Sequence, residues 1–269
     1  MCHLLRNSPY YILVLLIAWG LKYHYSRAGS DGLTWVLAPT AGLVELVSGV
    51  PFESEAHTGF VSQGYRVIIA PACAGINFLI IAFCMATFAG VHAFDRHRSK
   101  LFWLGTGFLS AYLLTIAVNT MRIIVAIYST RADIGLGWMT AARTHRLEGI
   151  VIYFFFLSLF YMIINKVVYR FGGGAEYEKP AVLRPDGDKT GYFRWARTGL
   201  IPLFWYGLIT LGVPLINGAW QADATRFAEH SSMVLTASCA VLGALFLLQI
   251  VGHKILIRLR KPLSGWEKT

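Results

Sequence analysis

The stretch Pro71-Ala72-Cys73-Ala74-Gly75-Ile76-Asn77-Phe78 joins a polar, proline-broken segment to a long apolar run. That run continues from Leu79 to about Phe94, with no charged residue before Asp95. Its length and composition predict a transmembrane helix, with Cys73 at or just before the helix N-terminus and at the membrane surface. There the thiol would meet unsatisfied backbone N–H groups and the positive end of the helix dipole, and both favour the thiolate.

The three other cysteines, Cys2, Cys84 and Cys239, are interpreted as small hydrophobic residues of an apolar protein. A disulfide between Cys73 and Cys84 is excluded in a continuous helix, because the two residues would lie about 16 Å apart along its axis. The scattered cysteines contain no CxxC pair, which argues against both a disulfide framework and a structural zinc site.

The composition is typical of a polytopic membrane protein. Of the 269 residues, 56% are hydrophobic and only 14% are charged, which is too apolar for an ordinary soluble domain. The net charge of +10 comes mainly from Lys and Arg between the apolar runs. Such residues orient spans and meet anionic lipid, so they indicate no nucleic-acid surface. We therefore expect an all-α bundle of about six to eight transmembrane spans.

The apolar runs predict the order of the spans. The first, Pro9 to about Leu21, is interpreted as a span because the residues after it are unlike a signal-peptide cleavage region. The second, Leu33 to Val50, either crosses, with the N-terminus outside, or lies re-entrant, with the N-terminus inside. The number of Lys and Arg residues on each side leaves both alternatives open. Pro51 to Ala70 is predicted to be an extended surface segment. Later spans are predicted at Leu101 to Val118, Leu147 to Val168, Leu200 to Ile216 and Met233 to Ile255.

Basic residues predict which side each end faces. The short connection Asp95-Arg96-His97-Arg98-Ser99-Lys100 is basic and therefore cytoplasmic by the positive-inside rule, which puts Cys73 outside. The span Leu101 to Val118 then runs outward over roughly 27 Å. Asn119 and Arg122 consequently arrive at the outer boundary.

Three functional groups are expected at this one membrane face: Cys73, Arg122 and His145, which follows a predicted outer loop from Ser129 to Thr144. A thiol, a guanidinium and an imidazole suffice for acyl transfer. Cys73 would attack a peptide carbonyl to form a thioester, and His145 would act as general acid and base. Arg122 would stabilise the oxyanion.

Two further residues are candidates for supporting roles. Asn119 shares a helical face with Arg122 and would orient the guanidinium or the substrate, and Glu148 would hold the imidazole of His145. The simpler interpretation is that Arg122 contacts lipid phosphate and that His145 is a polar helix-start residue. The spacing of His145 and Glu148 also fits a metal, but no second histidine pair is nearby, so we expect no metal and no cofactor.

Three short motifs resemble those of the exosortase/archaeosortase family: Pro-x-Cys-x-Gly-Ile at 71–76, Asn-x-x-Arg at 119–122, and His145 with Glu148-Gly149. The resemblance covers about residues 66–156, and its short cysteine motif is nearest to the exosortase K type. Each motif is weak alone, whereas three in family order are specific. The family consists of integral membrane proteases and presumed transpeptidases. The resemblance implies catalytic roles for Cys73, Arg122 and His145, although Ala74 stands where many members have a small hydroxyl residue.

The resemblance also implies a partner and a location. The substrate would be a secreted protein whose C-terminal tail combines a short motif, a transmembrane helix and a basic cluster, as in PEP-CTERM proteins. The enzyme would lie in the cytoplasmic membrane of a bacterium or archaeon, in contact with membrane lipids, with its active site on the extracytoplasmic face. Residues 1–170 would form the catalytic core, 171–198 a cytoplasmic polar linker, and 199–269 additional transmembrane helices with a basic tail.

Two other functions fit parts of the sequence. In a transporter or channel, Arg122 and Asn119 would line an anion route, but the mostly apolar centres of the predicted spans disfavour this. A noncatalytic sorting subunit would bind the same tails without cleaving them.

Overall fold

The structure, a computed structural model, describes residues 2–65, 67–131, 140–172 and 190–260. The helices are α1 (Cys2–Arg27), α2 (Thr34–Ser48), α3 (Ile76–Gly90), α4 (His97–Arg131), α5 (Ala141–Phe171), α6 (Thr190–Gly207), α7 (Val213–Ile216), α8 (Ala219–Ala222) and α9 (Ala224–Arg260). The strands are β1 (Glu53–Glu55), β2 (Gly59–Ser62) and β3 (Val67–Ile69).

Five helical segments of the described chain are long and apolar enough to cross a membrane: Pro71–Ala93, His97–Ser129, Ala142–Phe171, Gly199–Ile216 and Ala224–Gly252. The predicted all-α polytopic bundle is therefore confirmed. The two earlier apolar runs lie in α1 and α2, which are not among the five. With 15 residues, α2 is about 22 Å long, shorter than the hydrocarbon core of a bilayer.

Helix α3 is the buried centre of the bundle, and α1, α4, α5 and α6 pack around it. A helix that is apolar on every side is expected to be enclosed in this way. Its largest enclosed side chains are Ile76, Phe78, Leu79, Ile80, Ile81, Phe83 and Met85. Because α3 begins directly after the cysteine motif, its packing fixes the position of that motif.

Helix α1 runs antiparallel to α3. Near the start of α1, Asn7 Oδ1 accepts a hydrogen bond over 2.5 Å from Nζ of the buried Lys100, in the first turn of α4. Near the end of α1, Lys22 Nζ donates to Asn77 Oδ1 over 2.8 Å, at the start of α3. The N-terminus therefore lies at the same end of the bundle as the basic connection 95–100. We call this the basic end and the opposite one the cysteine end.

Helix α2 starts and finishes beside the small sheet. Just before it, Asp31 Oδ2 lies 2.9 Å from His57 Nδ1, in the turn between β1 and β2. Just after it, Gly49 ends the helix in a left-handed conformation with φ of 68° and the chain enters β1. These contacts favour the alternative in which the second apolar run does not cross and the N-terminus shares the side of the basic connection.

The predicted extended segment forms a three-stranded antiparallel sheet with the order β1-β2-β3. Phe60 pairs with Ile69 in its second ladder. A Cβ at Gly59, whose φ is +120°, would lie 2.4 Å from the carbonyl oxygen of Ile69, so only glycine fits there. Strand β3 leads through Ala70 straight into the cysteine motif, so the sheet delivers the chain to Cys73.

The helix boundaries differ from the sequence predictions in three places. The expected loop from Ser129 to Thr144 is shorter, because α4 continues to Arg131 and Thr140 caps α5 by accepting a hydrogen bond from the backbone N–H of Arg143. Residues 132–139 lie outside the described chain. Helix α6 begins at Thr190, inside the expected linker, of which residues 173–189 are likewise outside the description. Helix α9 begins at Ala224 rather than near Met233.

The C-terminal helices pack on the outside of this core, with α6 and α9 both contacting α5. The ring centres of Trp205 on α6 and Phe88 on α3 lie 5.0 Å apart. Those of Tyr206 and Phe154 on α5 lie 5.5 Å apart. Helix α6 is thus attached to the core through aromatic contacts.

Candidate active site

Cys73 is the last residue of a short 3₁₀ turn, Pro71–Cys73, that precedes α3. The backbone N–H of Cys73 donates to the carbonyl of Ala70 over 2.8 Å, which closes the turn. Helix α3 then starts at Ile76. As the sequence predicts, the half-buried thiol lies just before the N-terminus of an apolar helix.

Gly75 allows α4 to approach the cysteine motif closely. Its φ is +66°, and a Cβ there would lie 2.7 Å from Asn119 Nδ2. In the space left by the missing side chain, Asn119 Nδ2 donates a hydrogen bond to the backbone carbonyl of Cys73 over 2.6 Å. Asn119 is fully buried. The asparagine therefore holds the backbone of Cys73, a contact that the sequence did not predict.

Arg122 lies one turn after Asn119 on α4 and extends towards α5. Its guanidinium carbon is 5.3 Å from the ring centre of Tyr153, a cation–π distance. A Cβ at Gly149 would lie 3.5 Å from Arg122 Cδ, so the arginine stem passes over this glycine. The Nε atom is buried and has no hydrogen-bond partner among the described residues. The guanidinium is thus placed by packing, and one of its donors has no partner in the part of the chain that the structure describes.

His145 lies in the second turn of α5 with an exposed side chain. Arg122 and Glu148 both interact electrostatically with His145: the positive charge of Arg122 repels a protonated imidazole, and the negative charge of Glu148 attracts it. His145, Gly149 and Tyr153 share one helical face, because they are spaced four residues apart. Within the described chain, Cys73 and His145 are linked through Arg122 and its neighbours, and no direct hydrogen bond joins them.

Sequence reasoning missed Tyr153. Its hydroxyl donates a hydrogen bond to Asn119 Oδ1. Its ring stacks on Phe78 of α3, with ring centres 5.1 Å apart. The available signal was its position eight residues after His145, on the helical face that carries the candidate general acid and base.

Residues 5–162 match the family model described as Transmembrane exosortase (Exosortase_EpsH). The chain belongs to the transmembrane exosortase family. The match runs from α1 into α5 and contains Cys73, Arg122 and His145, whereas α6 to α9 lie beyond it. No curated protein and no solved structure matches this exosortase.

The last two turns of α1 add two residues to the site of this exosortase. Tyr25 interacts electrostatically with both Cys73 and Arg122. Burial raises the pKa of the Tyr25 hydroxyl, the interaction with Cys73 raises it further, and the charge of Arg122 lowers it. Lys22 Nζ lies 5.5 Å from the Tyr25 ring centre, and burial lowers the pKa of this lysine. Neither residue carries a sequence signal, since both contacts depend on how α1 packs against α3.

The first turns of α5 are rich in positive charge and contain no acidic residue in the first turn. Helix α9 supplies compensation from outside the family match. Arg143 Nε lies 2.6 Å from Glu229 Oε1, whereas Arg146 repels a positive charge on His230 and so supplies no compensation. Because a cation near a helix N-terminus opposes the helix dipole, Glu229 offsets an unfavourable local arrangement beside His145.

The described residues contain no group of three or more His, Cys, Asp or Glu side chains suited to hold a metal ion.

Proposed function

We propose that this exosortase is a membrane cysteine peptidase and transpeptidase that cleaves the C-terminal sorting tails of exported proteins. The observation that supports the proposal is the arrangement at the cysteine end of the bundle. Cys73 is held through Asn119, whose neighbour Arg122 interacts with His145. Membership of the exosortase family supports the reaction class.

In the first step, the Cys73 thiolate attacks the carbonyl carbon of the scissile peptide, and a carbon–sulfur bond forms. The carbonyl oxygen becomes an oxyanion. The Arg122 guanidinium donates hydrogen bonds to this oxygen, and its buried Nε is a donor with no other partner among the described residues. A permanently charged, multi-donor group suits this role in a partly dehydrated site.

In the second step, the carbon–nitrogen bond breaks and His145 gives a proton to the leaving amine. The N-terminal part of the substrate stays on Cys73 as a thioester, while the tail departs. An acceptor amine or water then attacks the thioester, and His145 takes its proton. The carbon–sulfur bond breaks, and the Cys73 thiolate is regenerated. The exposed position of His145 lets both leaving group and acceptor reach the imidazole.

The membrane would position the substrate in this scheme. A tail helix lying beside the five candidate spans, with its basic cluster at the basic end, would present the recognition motif at the cysteine end. This orientation replaces much of the positioning that a soluble protease obtains from a deep cleft. The scheme requires the cysteine end to face away from the cytoplasm.

Co-expression with a tailed substrate tests the proposal. Cys73→Ala should abolish tail removal, and Arg122→Ala and His145→Ala should each slow it about 100-fold or more. Cys239→Ala is the matched control, because this exposed cysteine lies on α9 outside the family match. Undiminished processing by the Cys73→Ala variant would overturn the proposal.

Sidedness needs its own experiment, with single cysteines in a chain that lacks the native ones. Ser26→Cys lies at the cysteine end and Arg98→Cys at the basic end, and both positions are exposed. A membrane-impermeant maleimide added to intact cells should label only the first variant. Labelling of only the second would reverse the proposed orientation.

A further inference from the structure

Tyr153 contacts three residues on two other helices of the site, yet no proposed chemical step uses it. The hydroxyl donates to Asn119 on α4, and the ring contacts both Arg122 on α4 and the buried Phe78 on α3. A hydroxyl this deep in an apolar bundle costs free energy unless it has a partner. Its partner, Asn119, is itself bonded to the backbone of Cys73.

The two hydrogen bonds together fix how the Asn119 amide is turned. Its Nδ2 must face the Cys73 carbonyl, because a carbonyl only accepts. Its Oδ1 then faces the Tyr153 hydroxyl, which donates. A flipped amide would set two acceptors against each other at the Cys73 carbonyl, so the carbonyl selects this orientation. The tyrosine hydroxyl then pairs the remaining Oδ1 and anchors the amide that holds the nucleophile.

The ring of Tyr153 acts on the other half of the site. Arg122 lies 5.3 Å from the ring centre and is flanked on α5 by Gly149, which leaves room for the arginine stem. The ring is in turn held by Phe78, which is only 2% exposed. One side chain thus sets both the backbone of Cys73 and the guanidinium of Arg122.

We propose that Tyr153 is the positioning residue of this exosortase, fixing the nucleophile through Asn119 and the oxyanion donor through its ring, so that both stand at a set spacing before substrate binds. The inference rests on the proposed function and deepens it. A residue in this role touches neither substrate nor leaving group, so its loss should lower kcat and leave KM nearly unchanged.

The test uses purified full-length chains in proteoliposomes, a tailed substrate peptide, and separate determination of kcat and KM. Tyr153→Phe removes one oxygen atom and should lower kcat about 10- to 100-fold, because the amide of Asn119 loses its donor. Tyr153→Leu also removes the ring and should lower kcat further. Tyr112→Phe is the control: this hydroxyl on α4 bonds the remote carbonyl of Trp35 over 2.7 Å, and kcat should stay at the wild-type value.

A double-mutant cycle separates positioning from general packing. If the hydroxyl acts through Asn119, then Tyr153→Phe should not lower kcat any further in the Asn119→Ala background. Losses in kcat that multiply, or a wild-type kcat in Tyr153→Phe, would overturn the proposal. If the Tyr153→Phe chain accumulates poorly, the Asn119→Ala variant tests the same hydrogen-bonded link. An unchanged kcat in Asn119→Ala would also contradict the proposal. Cys73→Ala in the same assay distinguishes failure of the positioning proposal from failure of the proposed function, because an active Cys73→Ala chain would refute the proposed function itself.

Discussion

Helices α3 and α9 are both apolar enough to cross a membrane, yet they are used in opposite ways. In the candidate span that contains α3, 67% of the most apolar window is buried inside the protein, compared with 17% in the span of α9. Hydropathy therefore indicates that a segment is shielded from water, but it does not indicate whether protein or lipid covers it. The difference follows from position, because α3 is surrounded by four helices and α9 packs mainly on α5.

This contrast explains where the candidate site lies. The cysteine motif continues directly into the enclosed helix, so the thiol is attached to the most buried of the candidate spans. Beyond residue 162 and outside the family match, Tyr206 on α6 interacts electrostatically with Tyr153 and Arg122, and Glu229 and His230 on α9 interact with the first turns of α5. Substitutions should therefore have large effects near α3 and small ones on α9.

The largest difference is expected for leucine truncations. Leu79→Ala on α3 removes a side chain with 0% exposure and should lower the free energy of unfolding by about 2 to 5 kcal/mol, since a cavity remains. Leu248→Ala on α9 removes a side chain that is 68% exposed and should change it by less than about 0.5 kcal/mol. Unfolding in mixed detergent micelles measures both. Equal losses would show that α9 is covered as completely as α3.

A smaller contrast is expected for two glycines. Gly75→Ala forces a Cβ into a left-handed backbone position and against Asn119, which should cost about 1 to 3 kcal/mol of stability. It should also slow tail removal, because the asparagine is displaced from the Cys73 carbonyl. Gly243→Ala in α9 meets open space and should raise helix stability by up to about 1 kcal/mol. A Gly75→Ala chain with wild-type stability and processing would contradict the close approach of α4.

The smallest effect should come from the ion pair between α5 and α9. The side chains of Arg143 and Glu229 are 49% and 34% exposed, so solvent screens them and Glu229→Gln should cost no more than about 1 kcal/mol. Glu229→Arg should slow tail removal because it adds repulsion beside His145. The reversed pair Arg143→Glu with Glu229→Arg should restore the rate. Failure of the reversed pair to recover would show that the contact does not influence the site.

The sequence predicted the parts of this molecule that depend on local pattern. The apolar run after Cys73 correctly predicted an apolar span with the thiol just before it, and the runs near Leu200 and Met233 correctly predicted two later spans. The start of α5 was placed too late, because the capping residue Thr140 was assigned to a loop. Local pattern did not decide at which end of the bundle the N-terminus lies; the contact of Lys100 with Asn7 puts it at the basic end.

The candidate site was predictable only in part, for the same reason. The spacing of Asn119 and Arg122 correctly indicated a shared helical face, since three residues nearly complete a turn. The bond from Asn119 to the Cys73 carbonyl depends on the packing of α4 against Gly75, and no periodicity encodes it. Tyr153 was missed because an aromatic residue within an apolar span is ordinary, and its position on the helical face of His145 became informative only with its tertiary contacts.

The most direct test of the account is to trap the acyl-enzyme. The purified chain is mixed with a tailed substrate peptide, quenched in acid, digested and analysed by mass spectrometry. The account predicts that the peptide containing Cys73 gains the mass of the N-terminal substrate fragment, and that neutral hydroxylamine removes the gain. Substrate cleavage with no adduct at Cys73, or with the adduct on another residue, would contradict it.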